Sequence, residues 1–164
     1  MTKQLKTLGH FVDDKSQYTS DSLFKLFGLK DIELLLVEVS GCFNNKVKLN
    51  FDYHKGMFGA LAMIKSIADK YEYASIDQFE KAKVLFLIAA AGQYLYLWSL
   101  SYKKNNLLDL WIKSSLLYSD FDDKQDFVPD LVRFCWGSKS IIEKSVESIV
   151  ALKQSHWQNR AKWR

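Results

Sequence analysis

Nineteen consecutive residues, Val84 to Tyr102 (VLFLIAAAGQYLYLWSLSY), carry no charge, and Lys81, Lys83, Lys103 and Lys104 bracket them. No other feature limits the chain so strongly. At ~1.5 Å per residue a helix of this length would just cross the ~30 Å hydrocarbon core of a bilayer. The run is therefore either a membrane span or an element that other parts of the chain bury. Gln93, Ser99, Ser101 and three Tyr are spread through its second half and form no interfacial belt. The neighbouring segments also read as amphipathic helices that need a partner to cover them. A helix apolar all round is what the centre of a helical bundle requires, so the expectation is a core helix. It would run from Ile76 to Tyr102, opened by the capping pair Ser75 and Gln78, with Ala89 to Gly92 allowing close approach of neighbours.

The rest of the chain is read around that centre. The first 18 residues have weak periodicity and are expected to form a loosely held arm. Ser20 caps a short helix, Asp21 to Phe27, closed by Gly28. Asp31 to Val39 suits either a helix or a strand. In KVKLNFDY, Val47, Leu49, Phe51 and Tyr53 alternate with polar residues, the period of a strand. Met57, Leu61, Ile64 and Ala68 follow a helical face, with Lys65 and Asp69 on its wet side. Further helices are expected over Leu107 to Tyr118, from Pro129 to Trp136 with Gly137 as its stop, and from Ile141 to Gln158. The last is opened by Ser140 and Glu143 and buries Ile142, Val146, Ile149 and Val150. One Pro and seven Gly leave few forced turns, which also favours helices. The fold expected is thus mostly α: one domain, a bundle of about six helices, with room for a small β-hairpin near residues 32–53.

Composition narrows the function. Apolar residues at 48% are ample for a core, so disorder of the whole chain is excluded. The net charge of +4 falls short of what dense phosphate neutralisation requires. Met1 to His10 has no apolar signal region, which makes the cytoplasm the expected compartment. There Cys42 and Cys135 would be buried free thiols, with a disulfide between them as the alternative.

Motifs of catalysis are scarce. Asp120-x-Asp122-x-Lys124-x-Asp126 starts like a calcium loop. A lysine, however, holds an acidic position, and Leu131 stands where the bidentate Glu belongs. His10, His54 and His156 fall in no zinc pattern. Asp52 and His54 could serve as an acid–base pair only in an extended segment that puts them on one face. There is no phosphate-binding glycine loop and no nucleophile elbow. No enzyme, metal or cofactor is therefore expected. The tail carries Trp157, Arg160, Lys162, Trp163 and Arg164, in which aromatic faces and cations could take unpaired bases and phosphates. That makes nucleic acid the alternative partner.

The segment FEKAKVLFLIAAAGQYLYLWSLSYKKNNLLDLWIKSSLLYSDFDD, within Ile76–Asp126, resembles the helical immunity proteins of bacterial toxin–immunity systems. It shares their rhythm of an alanine-rich apolar helix, a Lys/Asn turn, a second amphipathic helix and an aspartate-rich loop. The resemblance implies a non-catalytic protein that occludes a cognate toxin, and it carries over no functional residue. The basic net charge is a departure, since many inhibitors of nucleic-acid-cleaving toxins are acidic. On this reading Asp120, Asp122, Asp123 and Asp126 are the expected partner-binding residues, matching a cationic toxin cleft.

Overall fold

A computed structural model describes residues 20–29, 31–40, 46–90, 94–104, 107–116 and 124–162. In chain order these form β1 (Ser22–Leu26), a 3-10 turn (Phe27–Leu29), β2 (Ile32–Ser40), α1 (Lys46–Lys70) and α2 (Ile76–Phe79). Then follow β3 (Lys83–Ala90), β4 (Tyr94–Lys103), β5 (Leu107–Leu116) and α3 (Lys124–Lys162). The five strands make one sheet in the order β1-β2-β3-β4-β5. β2 and β3 run parallel, joined through α1, and every other neighbouring pair is antiparallel. The mostly α bundle of about six helices is therefore overturned, since a mixed five-stranded sheet forms the centre of the molecule.

The uncharged run misleads because of where it lies. β3 is the middle strand, with α1 on one face and α3 on the other, and Val84, Leu85, Phe86 and Ile88 are all buried. A strand covered on both faces needs no alternation, so it reads as a continuous apolar run, as a buried helix does. β4 does alternate. Tyr96, Trp98 and Leu100 face α1, in register with Ile88, Phe86 and Val84 on β3, while Leu97 joins the α3 side. Its aromatic residues suit a pleated surface better than a helix. Leu107 to Tyr118, expected as a helix, is strand over Leu107–Leu116, paired antiparallel with β4.

Two further expectations change. Ile32–Ser40 is a strand but forms no hairpin with the segment after it; it pairs with β1 and β3 instead. Lys46 to Tyr53 is the start of α1, where Val47 and Phe51 are exposed while Asp52 is buried. The period-two pattern there was coincidental. Asp21–Phe27 is likewise strand and 3-10 turn, followed at Asp31 by a positive φ of 55°, which a short polar side chain tolerates. The two helices expected after Pro129 are one, α3, unbroken by Gly137 and Ser140. Pro129 lies near the start of α3, so its missing N–H costs a single early hydrogen bond. Cys135, expected buried, is free and exposed; Cys42 and the N-terminal arm, residues 1–18, lie outside the described residues.

Other readings stand. Met57, Leu61 and Ile64 pack on the core from α1, beside the deeper Ala60, Met63 and Ile67. Ile142, Val146 and Ile149 form the inner stripe of α3, although Val150 turns outward. The Ser75 hydroxyl accepts the Gln78 N–H at 3.4 Å, but the helix it caps is only four residues long.

The larger core joins Ile32, Leu34 and Leu36 of β2 and Val84, Phe86 and Ile88 of β3 to α1. Ile149 and Leu152 of α3 close it. A smaller one on the opposite face holds Leu35, Leu85, Leu97 and Phe134. α1 sits close on the sheet because of Gly56: a Cβ there would lie 2.6 Å from Phe86 Cδ2. Among the described residues no helix is long and apolar enough to cross a membrane.

Candidate functional site

On β2 the residues facing α1 are Ile32, Leu34, Leu36 and then Glu38. The strand period thus carries a carboxylate onto a face otherwise made of aliphatic side chains. Opposite it, Asp52 and Lys55 stand three residues apart on α1, which places them on one side of the helix. Lys55 Nζ reaches Glu38 Oε2 at 2.6 Å. Glu38 is 2% exposed and Asp52 is 4% exposed. One oxygen of each, Glu38 Oε1 and Asp52 Oδ2, has no hydrogen-bond partner among the described residues.

Burial pushes the Glu38 carboxyl above its ordinary value, against the hydrogen bond and charge of Lys55, and the nearby Asp21 and Asp52 push the same way. Asp21 is held close because its Oδ2 accepts the Val39 N–H at 2.6 Å. A buried site with more carboxylates than cations favours incoming positive charge.

Glu38 and Lys55 line a cleft of about 410 Å³ between α1 and the β1–β2 hairpin. Leu23, Leu36, Phe51, Phe58 and Met63 form its apolar walls, the usual make-up of a binding site with one or two polar anchors. His54 sits on the cleft, exposed, its Nδ1 bonded to the Asn50 carbonyl at 2.7 Å. In a helix, residues two apart diverge by about 200°, so Asp52 and His54 form no acid–base pair. Among the described residues no group of three His, Cys, Asp or Glu is placed to hold a metal.

A second groove, about 340 Å³, lies where α1 stops short of covering β4 and β5. Tyr53, Tyr96, Trp98 and Ile112 line it, and Trp98 stacks on Phe86 at 5.5 Å with an interplanar angle of 5°. Burial, with lesser contributions from the charge of Tyr96 and a hydrogen bond to it, pushes the Tyr53 phenol up to about 12.

The residues expected from sequence lie elsewhere. Asp120, Asp122 and Asp123 are outside the described residues, and Asp126 belongs to the first turn of α3. Trp157, Arg160 and Lys162 lie in its last turns, with the Arg160 guanidinium 5.5 Å from the Trp157 ring centre. Trp163 and Arg164 are outside the described residues. The alanine-rich helix and second helix on which the immunity-protein resemblance rested are strands β3, β4 and β5.

Sequence reasoning missed Glu38 and Lys55, and set Asp52 with His54 instead of with them. The available signal was Glu38 itself, the fourth inward position of an alternation that begins at Ile32. Comparison with protein-family models, with curated proteins and with solved structures finds no match for this chain.

Proposed function

We propose that this chain is a non-catalytic protein-binding module that seats a partner over the α1/β1–β2 cleft. A Lys or Arg of the partner enters to meet Glu38. The observation that carries the reading is the buried, unpartnered Glu38 Oε1 in a cleft with apolar walls. A partner's ammonium or guanidinium would satisfy that oxygen and offset the repulsion from Asp21 and Asp52, while its aliphatic stem packs on Phe51 and Phe58.

A protein suits the surroundings better than a small ligand. Phe24, Val39, Val47, Phe51 and Phe58 are all more than half exposed on the elements that form or flank the cleft. A central anchor ringed by water-excluding apolar contacts is the usual anatomy of an interface hot spot. In its most concrete form the partner is a cognate bacterial toxin, and the module is an immunity protein that occludes it.

The test is capture from the native host with a photo-crosslinking residue in place of Phe58, after nuclease treatment and at moderate salt. One stoichiometric protein, crosslinked at that position and held at least tenfold more weakly by Glu38→Gln, is the expected result. Removing one partner of a buried hydrogen-bonded charge pair costs about 2–5 kcal/mol, so the effect should be plain. A partner whose binding ignores Glu38 overturns the cleft as its seat. In a parallel capture without nuclease, recovery of nucleic acid alone, lost on truncation after Ser155, overturns protein binding and moves function to the Trp157–Lys162 end.

A further inference from the structure

The α3 side of the sheet holds a different kind of site. Along β4 the residues on that side run Leu95, Leu97, Ser99 and Ser101, so the aliphatic pattern gives way to hydroxyls in the buried part of the strand. On α3, Ser145 is also buried, between Ile141 and Ile149 on the inner side of the helix. Small side chains at these positions leave a hollow of about 350 Å³, lined by Ser99 and Ser145. Lys81, Lys83 and Lys144 also line it, with Asp109 as its one acidic residue.

Among the described residues none of these three lysines forms an ion pair, whereas Lys25, Lys55, Lys65, Lys104 and Lys139 each do. Ser145 spends its hydroxyl hydrogen on the Ile141 carbonyl, and Ser148, which also lines the hollow, on the Lys144 carbonyl, both at 2.8 Å. That leaves Ser99 to donate into the hollow. Three ammonium groups against one carboxylate give a formal charge of +2, which matches the ≈ −1.5 to −2 of a phosphate monoester.

We infer that this hollow is a binding site for a phosphate group carried by a small molecule, held by Lys81, Lys83 and Lys144 with the Ser99 hydroxyl as the uncharged donor. The volume leaves room for a modest organic body beside the phosphate. The site is independent of the cleft at Glu38, which lies on the opposite face of the sheet.

Phosphorus NMR of inorganic phosphate and pyrophosphate tests it on the full chain, with chloride matched for ionic strength. Saturable binding is expected, weakened at least tenfold by Lys83→Gln combined with Lys144→Gln, and tightened by Asp109→Asn. Ser99→Ala changes no charge and removes only the hydroxyl, so it separates a built site from diffuse surface attraction. A loss of fivefold or more is expected from it, in line with a hydrogen bond to a charged group. Binding that does not saturate overturns the inference, as does binding that Ser99→Ala leaves unchanged.

Discussion

Lys55 is the cation that the structure sets against Glu38, and replacing it with Met isolates what that pair does. The thioether keeps the stem and its packing while removing the ammonium that now lies 2.6 Å from Oε2. Glu38 is then left 2% exposed with neither oxygen partnered and with Asp21 and Asp52 still acting on it. Breaking a buried pair from one side costs about 3–5 kcal/mol. Taking the lower figure, the folding constant falls by roughly 150-fold at pH 7. For a chain of this size, about 2–4 °C per kcal/mol places the fall in Tm at roughly 6–12 °C.

The pH dependence follows from the direction of the shift. Burial raises Glu38 above its unfolded value, and Lys55 opposes this, so the variant's folded-state pKa rises further. As pH falls through that pKa the folded form takes up a proton first. The deficit therefore shrinks on acidification, and is smallest below the unfolded value of about 4.3. Urea unfolding followed by tryptophan fluorescence at pH 7 and pH 4.5 reads both effects. In the double variant Glu38→Gln/Lys55→Met the buried ion is gone and most of the loss should return. The reasoning fails if Lys55→Met stays within about 0.5 kcal/mol of wild type at pH 7, the scatter of ordinary surface changes. It fails equally if its deficit is the same at both pH values.

Two glycines in helices should respond with opposite signs. Gly56→Ala drives a Cβ to 2.6 Å from the Phe86 ring and should destabilise by about 1–3 kcal/mol. Gly137→Ala meets only the mobile end of Lys113, whose bonds to the Arg133 and Phe134 carbonyls are long at 3.4 and 3.5 Å. There helix propensity should win by up to about 1 kcal/mol, and thermal unfolding of the two variants compares them directly. Phe86→Ala should cost about 3–5 kcal/mol and release Trp98 from its stack, which the tryptophan emission maximum reports. Tyr96→Phe should lower the titration of Tyr53 seen in phenolate absorbance while leaving it above 10, because burial is the larger cause.

The helices whose polar and apolar sides differ were legible. α1 from Met57 to Ala68 and the Ile142–Ile149 stripe of α3 each expose one side to water, and a 3.6-residue period survives in sequence. β3 leaves no such trace because both of its faces are covered, and β4 shares its helical reading through the same lack of charge, while β5, with Asp109 and Lys113, reads as a separate amphipathic helix. The cleft was harder still. Glu38 and Lys55 are seventeen residues apart, on elements of different period, and become neighbours only when α1 folds back over β2. Asp52 was noticed for its closeness to His54 along the chain. The helix separates that pair and sets Asp52 with Lys55 instead.

The parallel seam between β2 and β3 also decides when each part of this molecule can form. Leu35 pairs with Leu85, fifty residues away, whereas β3 and β4 meet through Ala90 and Tyr94 with three residues between. Closing the longer loop costs more entropy before any contact rewards it. A ribosome delivers β2 first, then forty-two residues from Gly41 to Ala82, and only then the strand that pairs with its free side. In that interval α1 can cover one face of β2 but cannot supply hydrogen bonds to its edge. The nascent chain thus presents an open edge on β2, the strand containing Leu34, Leu35 and Leu36, of the kind at which chains aggregate or recruit chaperones.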